Sequence, residues 1–197
     1  MAESTLTVIT ESLELLRTAA ASISADDAQA GTPCSDWTVA QVLQHAIGDQ
    51  LAWAAGLGVG TGPSDNPFAP SGRLDGSVDD LVEPALALAT TAWAGVRHDD
   101  EAVPTPLPQG PLPAATAAAA CALDAAVHAW DIAMALGQPS RLTEQLAVPL
   151  LTTARAIVEP LRQYGVYADA LPPQEGDDEV AELLRYLGRD PHWRAGA

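Results

Sequence analysis

Apolar residues recur along this chain at the three- and four-residue spacing that marks one face of an α-helix. The first such face, over residues 4–23, is formed by Leu6, Ile9, Leu13 and Leu16. The same spacing predicts further helices, which begin near Thr38 and extend over residues 78–96, 114–136 and 143–164, with a short one within residues 176–188. No stretch alternates long enough to build a sheet. We therefore predict an all-α protein, a four-helix bundle with one or two extra short helices.

Turn-forming residues separate these helices and locate their ends. Thr38 and Gln41 have the spacing of a capping box, in which each side chain bonds the backbone N–H of the other residue. Residues 58–76 are rich in Gly, Pro and Ser, and residues 98–113 contain five prolines, so both predict loops, the second with a short extended pair. The glycines of GLGVGTG follow a helix rather than a strand, which indicates a connector and not a phosphate-binding loop.

The balance of charge limits the classes of partner. The 197 residues carry 9 Lys+Arg against 26 Asp+Glu, a formal net charge of −17, and every cation is Arg. Nucleic-acid binding requires clustered cations that neutralise phosphates, so this composition argues against it. The length suits one domain, and we expect residues 1–197 to form a single one.

Hydropathy and cysteine usage indicate a cytoplasmic protein that does not cross a membrane. The most apolar stretch, residues 114–136, is mostly Ala and carries Asp124 and His128, which predicts a buried helix rather than a membrane span. Cys34 and Cys121 lack the close spacing of a metal-binding or redox pair, so we expect buried thiols in a reducing compartment. No basic segment followed by an apolar run opens the chain, which also favours the cytoplasm.

Two histidines and one carboxylate form a candidate metal site. Asp124 and His128 are four residues apart, so their side chains lie one turn apart on the same helix face. His45, on the apolar face of the second helix, is a candidate third ligand. This donor set suits Zn²⁺ with an open coordination position, and Fe²⁺ or Ni²⁺ nearly as well.

Each of these residues also has a purely structural interpretation. A histidine on an apolar face is commonly a hydrogen-bonded core residue, and an Asp–His pair at this spacing is commonly a simple hydrogen-bonded pair. Asp124 changes the balance, because a carboxylate inside an Ala-rich helix is costly to bury without a compensating positive charge. A metal ion supplies that charge, and so does a buried Arg.

Other polar and aromatic residues are weaker candidates. Asp49 is a possible fourth ligand or general base, with a solvated helix-face carboxylate as the alternative. Asp131, three residues beyond His128, is a catalytic candidate or a residue that orients a ligand. Trp53 and Trp130 are candidate pocket walls, and Tyr164 and Tyr167 are candidates for the site mouth. Arg73 and Arg155 are candidate anchors for a thiol co-substrate. We expect His98 and His192 to be solvated.

Three segments together resemble a known family. TPCSDWTVAQVLQHAIG, LDAAVHAWDIAMALG and LLRYLGRDPHW are similar to segments of the DinB-like, mycothiol-dependent maleylpyruvate isomerase superfamily, and in particular to its single-domain actinobacterial metal-binding branch. The resemblance implies a helical bundle that holds a divalent metal through His45, Asp124 and His128. Family sites commonly have Glu at the position of Asp124.

The resemblance implies a metal-dependent enzyme that uses a low-molecular-weight thiol such as mycothiol as co-substrate. Such an enzyme is a transferase or an isomerase that acts on a small electrophile. Two alternatives stay open, a thiol-independent metal hydrolase and a non-catalytic metal-binding protein. We expect the partners to be a small-molecule substrate and a thiol, with no nucleic acid and no membrane, and with a homodimer as one option for assembly.

Overall fold

The fold is all-helical in a computed structural model that describes residues 5–34 and 36–196. The six α-helices of these residues are α1 (Thr5–Ala20), α2 (Val39–Gly56), α3 (Val78–Ala94), α4 (Ala114–Ala135), α5 (Glu144–Arg162) and α6 (Glu179–Tyr186). The same residues contain no β-strand, only isolated bridges. The predicted all-α architecture is confirmed.

Helix α4 is the centre of the bundle, because it packs against α1, α2 and α5. Buried side chains occur all round α4, most of them Ala. A helix that is apolar on every face is stable only when neighbours enclose it, and small side chains let those neighbours approach closely. Helix α3 packs against α1 and α2 to complete the four-helix bundle, and α5 adds to α4 on another side, with the short α6 packed on α5.

Local capping sets two of the helix boundaries. The capping box predicted at the start of α2 is present: the Thr38 hydroxyl accepts a bond from the Gln41 N–H, and the Thr38 N–H donates to the Gln41 side chain. Helix α1 ends at Ala20, earlier than predicted, because Ser24 and Asp27 form a second capping box that starts a short 3-10 turn. The predicted start at residue 4 lies outside the described residues.

The loops show the predicted extended pair and a return of the chain against α2. Val103 and Leu112 exchange both backbone hydrogen bonds. Between α2 and α3, the loop folds back along α2, where the Gln44 side chain donates to Arg73 O and accepts from the Gly72 N–H. Gly72 has a φ of +73°, a left-handed conformation that glycine adopts without strain. The return places Pro67 above the face of α2 that carries the site.

Among the described helices, α4 alone is long and apolar enough to cross a membrane by length and composition. Inside this protein, 89% of its most apolar window is buried. Burial of this kind is typical of the core helix of a bundle.

A pair of leucines on α1 tests the core. Leu16 is fully buried and Leu6 is 47% exposed. We expect Leu16→Ala to lower the free energy of unfolding by about 2–5 kcal/mol, because it removes buried methyl groups and leaves a cavity. The matched Leu6→Ala variant is expected to change it by about 0.5 kcal/mol or less. Urea denaturation followed by circular dichroism measures both, and equal losses would contradict this packing of α1.

Candidate metal centre

His45 enters the site from α2 with one ring nitrogen already engaged. Its imidazole is buried, and Nδ1 lies 2.9 Å from the backbone oxygen of Pro67. A carbonyl oxygen only accepts hydrogen bonds, so it assigns the proton of a neutral His45 to Nδ1. The Nε2 lone pair is then directed toward α4.

His128 enters from α4 in an equivalent way. Its Nδ1 lies 2.9 Å from Oδ2 of Asp131, three residues later on the same helix. Asp131 is completely buried, and Arg189 binds both of its carboxylate oxygens. Burial raises the pKa of Asp131, but Arg189 and His128 outweigh it and hold that pKa below the ordinary value. The ionised Asp131 therefore accepts a hydrogen bond from Nδ1–H of His128, and the Nε2 atom of His128 faces the site.

The two Nε2 atoms converge on one carboxylate oxygen. Oδ1 of Asp124 lies 3.2 Å from Nε2 of His45 and 3.4 Å from Nε2 of His128. One ligand atom from each of these residues lies within 4.8 Å of the other two. The ring centroids of the histidines are 4.9 Å apart and nearly perpendicular. The three residues that the sequence spacing selected thus meet at one point between α2 and α4.

The charges of this group are strongly coupled. Burial raises the pKa of Asp124, but the two histidines outweigh it, so the net pKa is lowered and the carboxylate is ionised at neutral pH. Burial lowers the pKa of His128, but Asp124 and Asp131 outweigh it and raise that pKa to about 9. In the metal-free protein a proton on His128 therefore supplies the positive charge that Asp124 requires.

The donor set fits a divalent cation. With both histidines neutral, two lone pairs and a carboxylate oxygen face one another, which is unfavourable unless a cation lies between them. The second carboxylate oxygen of Asp124, Oδ2, is buried and has no hydrogen-bond partner among the described residues. Two imidazoles and a carboxylate are ligands common in zinc sites. The Nδ1 atom of each imidazole is held by an acceptor, which is the usual supporting contact of such ligands.

Aromatic and ionisable side chains surround the three residues. The rings of Trp37 and Phe68 contact the His45 ring at centroid distances of 4.7 and 5.2 Å, and Phe68 is 57% exposed. Tyr167 is half-buried, and burial together with Asp124 raises its pKa, so its hydroxyl keeps its proton. Tyr167, expected at the site mouth, is therefore close enough for the charge of Asp124 to act on it.

Asp49 lies one turn after His45 and is half-buried. Burial raises the pKa of Asp49 well above its usual range, and the charge of Asp124 raises it further. The alternative of a freely solvated carboxylate is therefore corrected, because α2 places this side chain toward the site. Asp49 is outside the group of ligand atoms within 4.8 Å, so the geometry gives the fourth-ligand alternative no support.

The other candidates lie further from the three residues. Trp53 is buried in the core against Trp93, with ring centroids 5.8 Å apart, and its side chain is a hydrogen-bond partner of Asp49. Arg73 and Arg155 are exposed and pair with Asp75 and Glu182, so the structure does not bring them to the site. The remaining exposed candidates are Tyr164, His98 and His192.

The cysteines behave differently from each other. Cys121 is buried as expected, whereas Cys34 is half-buried. Burial and the charge of Asp131 raise the pKa of Cys34 to about 11, so its thiol is protonated at neutral pH. The expectation of two fully buried thiols is therefore correct for Cys121 only, because Cys34 lies in the turn before α2, beside the site.

A cavity of about 120 Å³ lies on the opposite side of α4 from Asp124, between α4, α1 and the loop after α4. Trp130 forms part of its wall, together with Leu15 and Arg141. The cavity contains no cluster of metal-ligating side chains, and we assign it no function.

Sequence reasoning missed four residues that hold the site together. Pro67, Trp37 and Phe68 pack on His45, and Arg189 binds Asp131. A buried Arg had been considered as the partner of Asp124, but Arg189 binds Asp131 instead. The one local signal was that Arg189 lies in LLRYLGRDPHW, one of the three segments that carry the family resemblance.

The coupling between Asp124 and His128 predicts how the metal-free protein responds to pH. The pKa of His128 is raised from 6.5 to about 9, so its contribution to stability is complete below pH 6.5 and is lost as the pH rises through about 9. We expect the free energy of unfolding to fall over this interval, and the His128 ring to titrate near pH 9 by NMR. In Asp124→Asn the titration is expected at a lower pH, and an unchanged midpoint would contradict the assignment.

Comparison with known proteins agrees with the resemblance drawn from the three segments. Residues 9–133 match the family described as Mycothiol maleylpyruvate isomerase N-terminal domain. Uncharacterized protein MT0763 of Mycobacterium tuberculosis (strain CDC 1551 / Oshkosh) and Uncharacterized protein Rv0738 of strain ATCC 25618 / H37Rv are each 33% identical to this chain over 180 residues, covering 86% of it and 88% of the relative. No solved structure gives a significant match. The chain belongs to the mycothiol maleylpyruvate isomerase N-terminal domain family, which is DinB-like.

Proposed function

We propose that this protein is a metal-dependent enzyme that uses a low-molecular-weight thiol of the mycothiol type as co-substrate. His45, Asp124 and His128 hold one divalent cation, and the reaction is a transfer or isomerisation on a small electrophile. Membership of a mycothiol-related family supports the choice of thiol. The net charge of −17 favours small partners over nucleic acid, and we propose a cytoplasmic location and no stable membrane association.

The observation that carries the proposal is the convergence of two histidine Nε2 atoms on Oδ1 of Asp124. Pro67 and Asp131 accept hydrogen bonds from the Nδ1–H groups, so the two neutral histidines and Asp124 present three acceptor atoms to one another. A divalent cation relieves this arrangement, and it replaces the proton that His128 carries in the metal-free protein.

Zinc is the cation we propose, with nickel and iron as alternatives. Two borderline imidazole nitrogens with one hard carboxylate oxygen are a donor set that suits zinc, and three protein ligands would leave a coordination position open for a substrate. A metal ion held by His45, Asp124 and His128 would lower the pKa of a thiol that binds it, so that the proton leaves to solvent and a thiolate is present at neutral pH.

The surrounding residues bind and orient small molecules. Trp37 and the exposed ring of Phe68 offer an apolar wall beside His45. Burial and the charge of Asp124 raise the pKa of Asp49 well above its usual range, which favours its protonated form and a role as proton donor to a product. Tyr167 keeps its hydroxyl proton and can donate a hydrogen bond to a polar substrate group.

Metal analysis tests the first half of the proposal. We expect one divalent ion per chain in protein purified without an affinity tag. His45→Ala and His128→Ala remove a ligand and are expected to abolish binding, and Asp124→Asn to weaken it, because it removes the neutralising charge. His192→Ala, at an exposed histidine, is the matched control and is expected to retain the metal. Full metal content in His128→Ala would contradict the assignment.

Cobalt substitution tests the second half. Mycothiol is expected to produce a sulfur-to-cobalt charge-transfer band in the wild-type protein and none in His45→Ala. An activated alkene or epoxide should then be consumed at a rate that depends on both thiol and metal. Turnover of an ester without thiol, and without a change in the cobalt spectrum, would replace the proposal by a metal hydrolase. Binding of cobalt without any turnover would leave a non-catalytic metal-binding protein.

The acceptor of His45 is held by a close contact with α2. A Cβ atom on Gly48 would lie 3.1 Å from both Cβ and Cγ of Pro67. Gly48 therefore lets the loop lie close enough for the Pro67 carbonyl to reach His45, even though glycine is a poor helix former.

We expect Gly48→Ala to weaken cobalt binding about tenfold, because Pro67 must shift and His45 loses a well-placed acceptor. Gly56→Ala is the matched control on the same helix, since a Cβ there meets nothing within 4 Å. Chelator competition measures both affinities. Equal affinities in the two variants would contradict the role given to the Pro67 contact.

A further inference from the structure

We propose that Arg189 is a positioning residue of the metal centre, acting through Asp131 on the Nδ1 proton of His128. This inference rests on the proposed metal-binding function and adds a residue that belongs to neither the ligand set nor residues 9–133, which match the family. It makes occupancy of the site depend on the segment that follows α6.

The bond between Arg189 and Asp131 is a two-point contact. Nε of Arg189 lies 2.9 Å from Oδ1, and Nη2 lies 2.9 Å from Oδ2 of the carboxylate. Nη1 donates to the backbone oxygen of Leu187, so the guanidinium is also fixed from its far side. A planar fork held in this way permits one orientation of the carboxylate.

That orientation determines which atom His128 presents to the site. Oδ2 of Asp131 accepts from both Arg189 and Nδ1 of His128. The Asp131 carboxylate is completely buried, and its two-point bond to Arg189 fixes Oδ2 beside Nδ1 of His128. An acceptor held there favours a proton on Nδ1 of the neutral ring, which leaves the Nε2 lone pair for a cation.

The backbone conformation at Gly188 brings Arg189 to Asp131. Gly188 has a φ of +80°, and a Cβ there would lie 2.8 Å from both the Ala168 Cβ and the Asp169 oxygen. The chain thus passes directly beneath the loop after α5 before Arg189 reaches Asp131. No larger residue fits this crossing without moving the loop.

Helix α6, which precedes Arg189, offers a matched control for buried Arg–Asp pairs in general. Arg185 is buried in α6, and its Nε lies 2.8 Å from Oδ2 of Asp177. In the part of the chain that the structure describes, neither Arg185 nor Asp177 forms a hydrogen bond or ion pair with His45, Asp124 or His128. Removing Arg185 therefore reports the cost of breaking a buried ion pair without touching the metal centre.

Cobalt affinity of the full chain, measured by chelator competition, tests the proposal. We expect Arg189→Met to weaken binding by about 10- to 100-fold, the usual effect of losing a group that orients a ligand. Arg185→Met is expected to stay within about threefold of the wild type, although both variants lose stability. Equal affinities in Arg189→Met and Arg185→Met would overturn the inference.

A double-mutant cycle tests the route. If Arg189 acts only through Asp131, the variant with both Asp131→Asn and Arg189→Met should bind cobalt within about threefold of Asp131→Asn alone. Multiplied losses would overturn this route. The ring ¹⁵N shifts of His128, recorded in the metal-free protein above pH 9 where the ring is neutral, add a readout that loss of stability does not move. The Nδ1–H tautomer should dominate in wild type and Arg185→Met but not in Arg189→Met.

Two further outcomes separate the possible failures. If wild-type protein binds no cobalt, the proposed metal function fails and this inference fails with it. If Arg189→Met does not fold, Arg189→Lys decides, because Lys keeps the charge but not the two-point bond. We expect Arg189→Lys to weaken binding about tenfold against no change in Arg185→Lys, and wild-type affinity in Arg189→Lys would overturn the inference.

Discussion

The site depends on one ionised carboxylate that α4 carries into an apolar bundle. Asp124 sits among alanines, and its charge requires a positive charge beside it, which a proton on His128 supplies when no metal is bound. The Nε2 atoms of both histidines face this carboxylate. Each imidazole is held in that orientation from behind, His45 by the Pro67 carbonyl and His128 by Asp131. The loop after α2 and the segment after α6 therefore both help to orient the histidines around the buried charge of Asp124.

Four separate parts of the chain meet this requirement together. Helices α2 and α4 supply the inward-facing atoms, the loop between α2 and α3 supplies an acceptor, and the end of the chain supplies the cation that keeps Asp131 ionised. The match to the family covers residues 9–133 and includes the first three. The fourth, Arg189, lies beyond it, so the part of the chain that defines the family does not contain all the groups that shape its site.

Local patterns in the sequence predicted the features that short-range geometry determines, namely the helices and the pairing of side chains one turn apart. Apolar spacing located the helices, and the four-residue step from Asp124 to His128 placed two side chains on one face. The contacts of Pro67 with His45 and of Arg189 with Asp131 span 22 and 58 residues, and no spacing along one helix encodes them. The sequence did not predict the partial burial of Asp49 for a related reason. Helical periodicity shows which face of α2 carries a residue, but not how far neighbouring elements cover that face.

The alanine content of α4 has a consequence for the ligand itself. A side chain as short as aspartate reaches His45 across the interface because the two helices lie close, close enough for the Gln50 amide to bond the backbone oxygen of Cys121. The length of the ligand side chain at position 124 and the distance between α2 and α4 must therefore match. A glutamate at position 124 would carry the carboxylate further toward α2 by about one methylene, roughly 1.5 Å, and would misplace the ligand unless the helices moved apart.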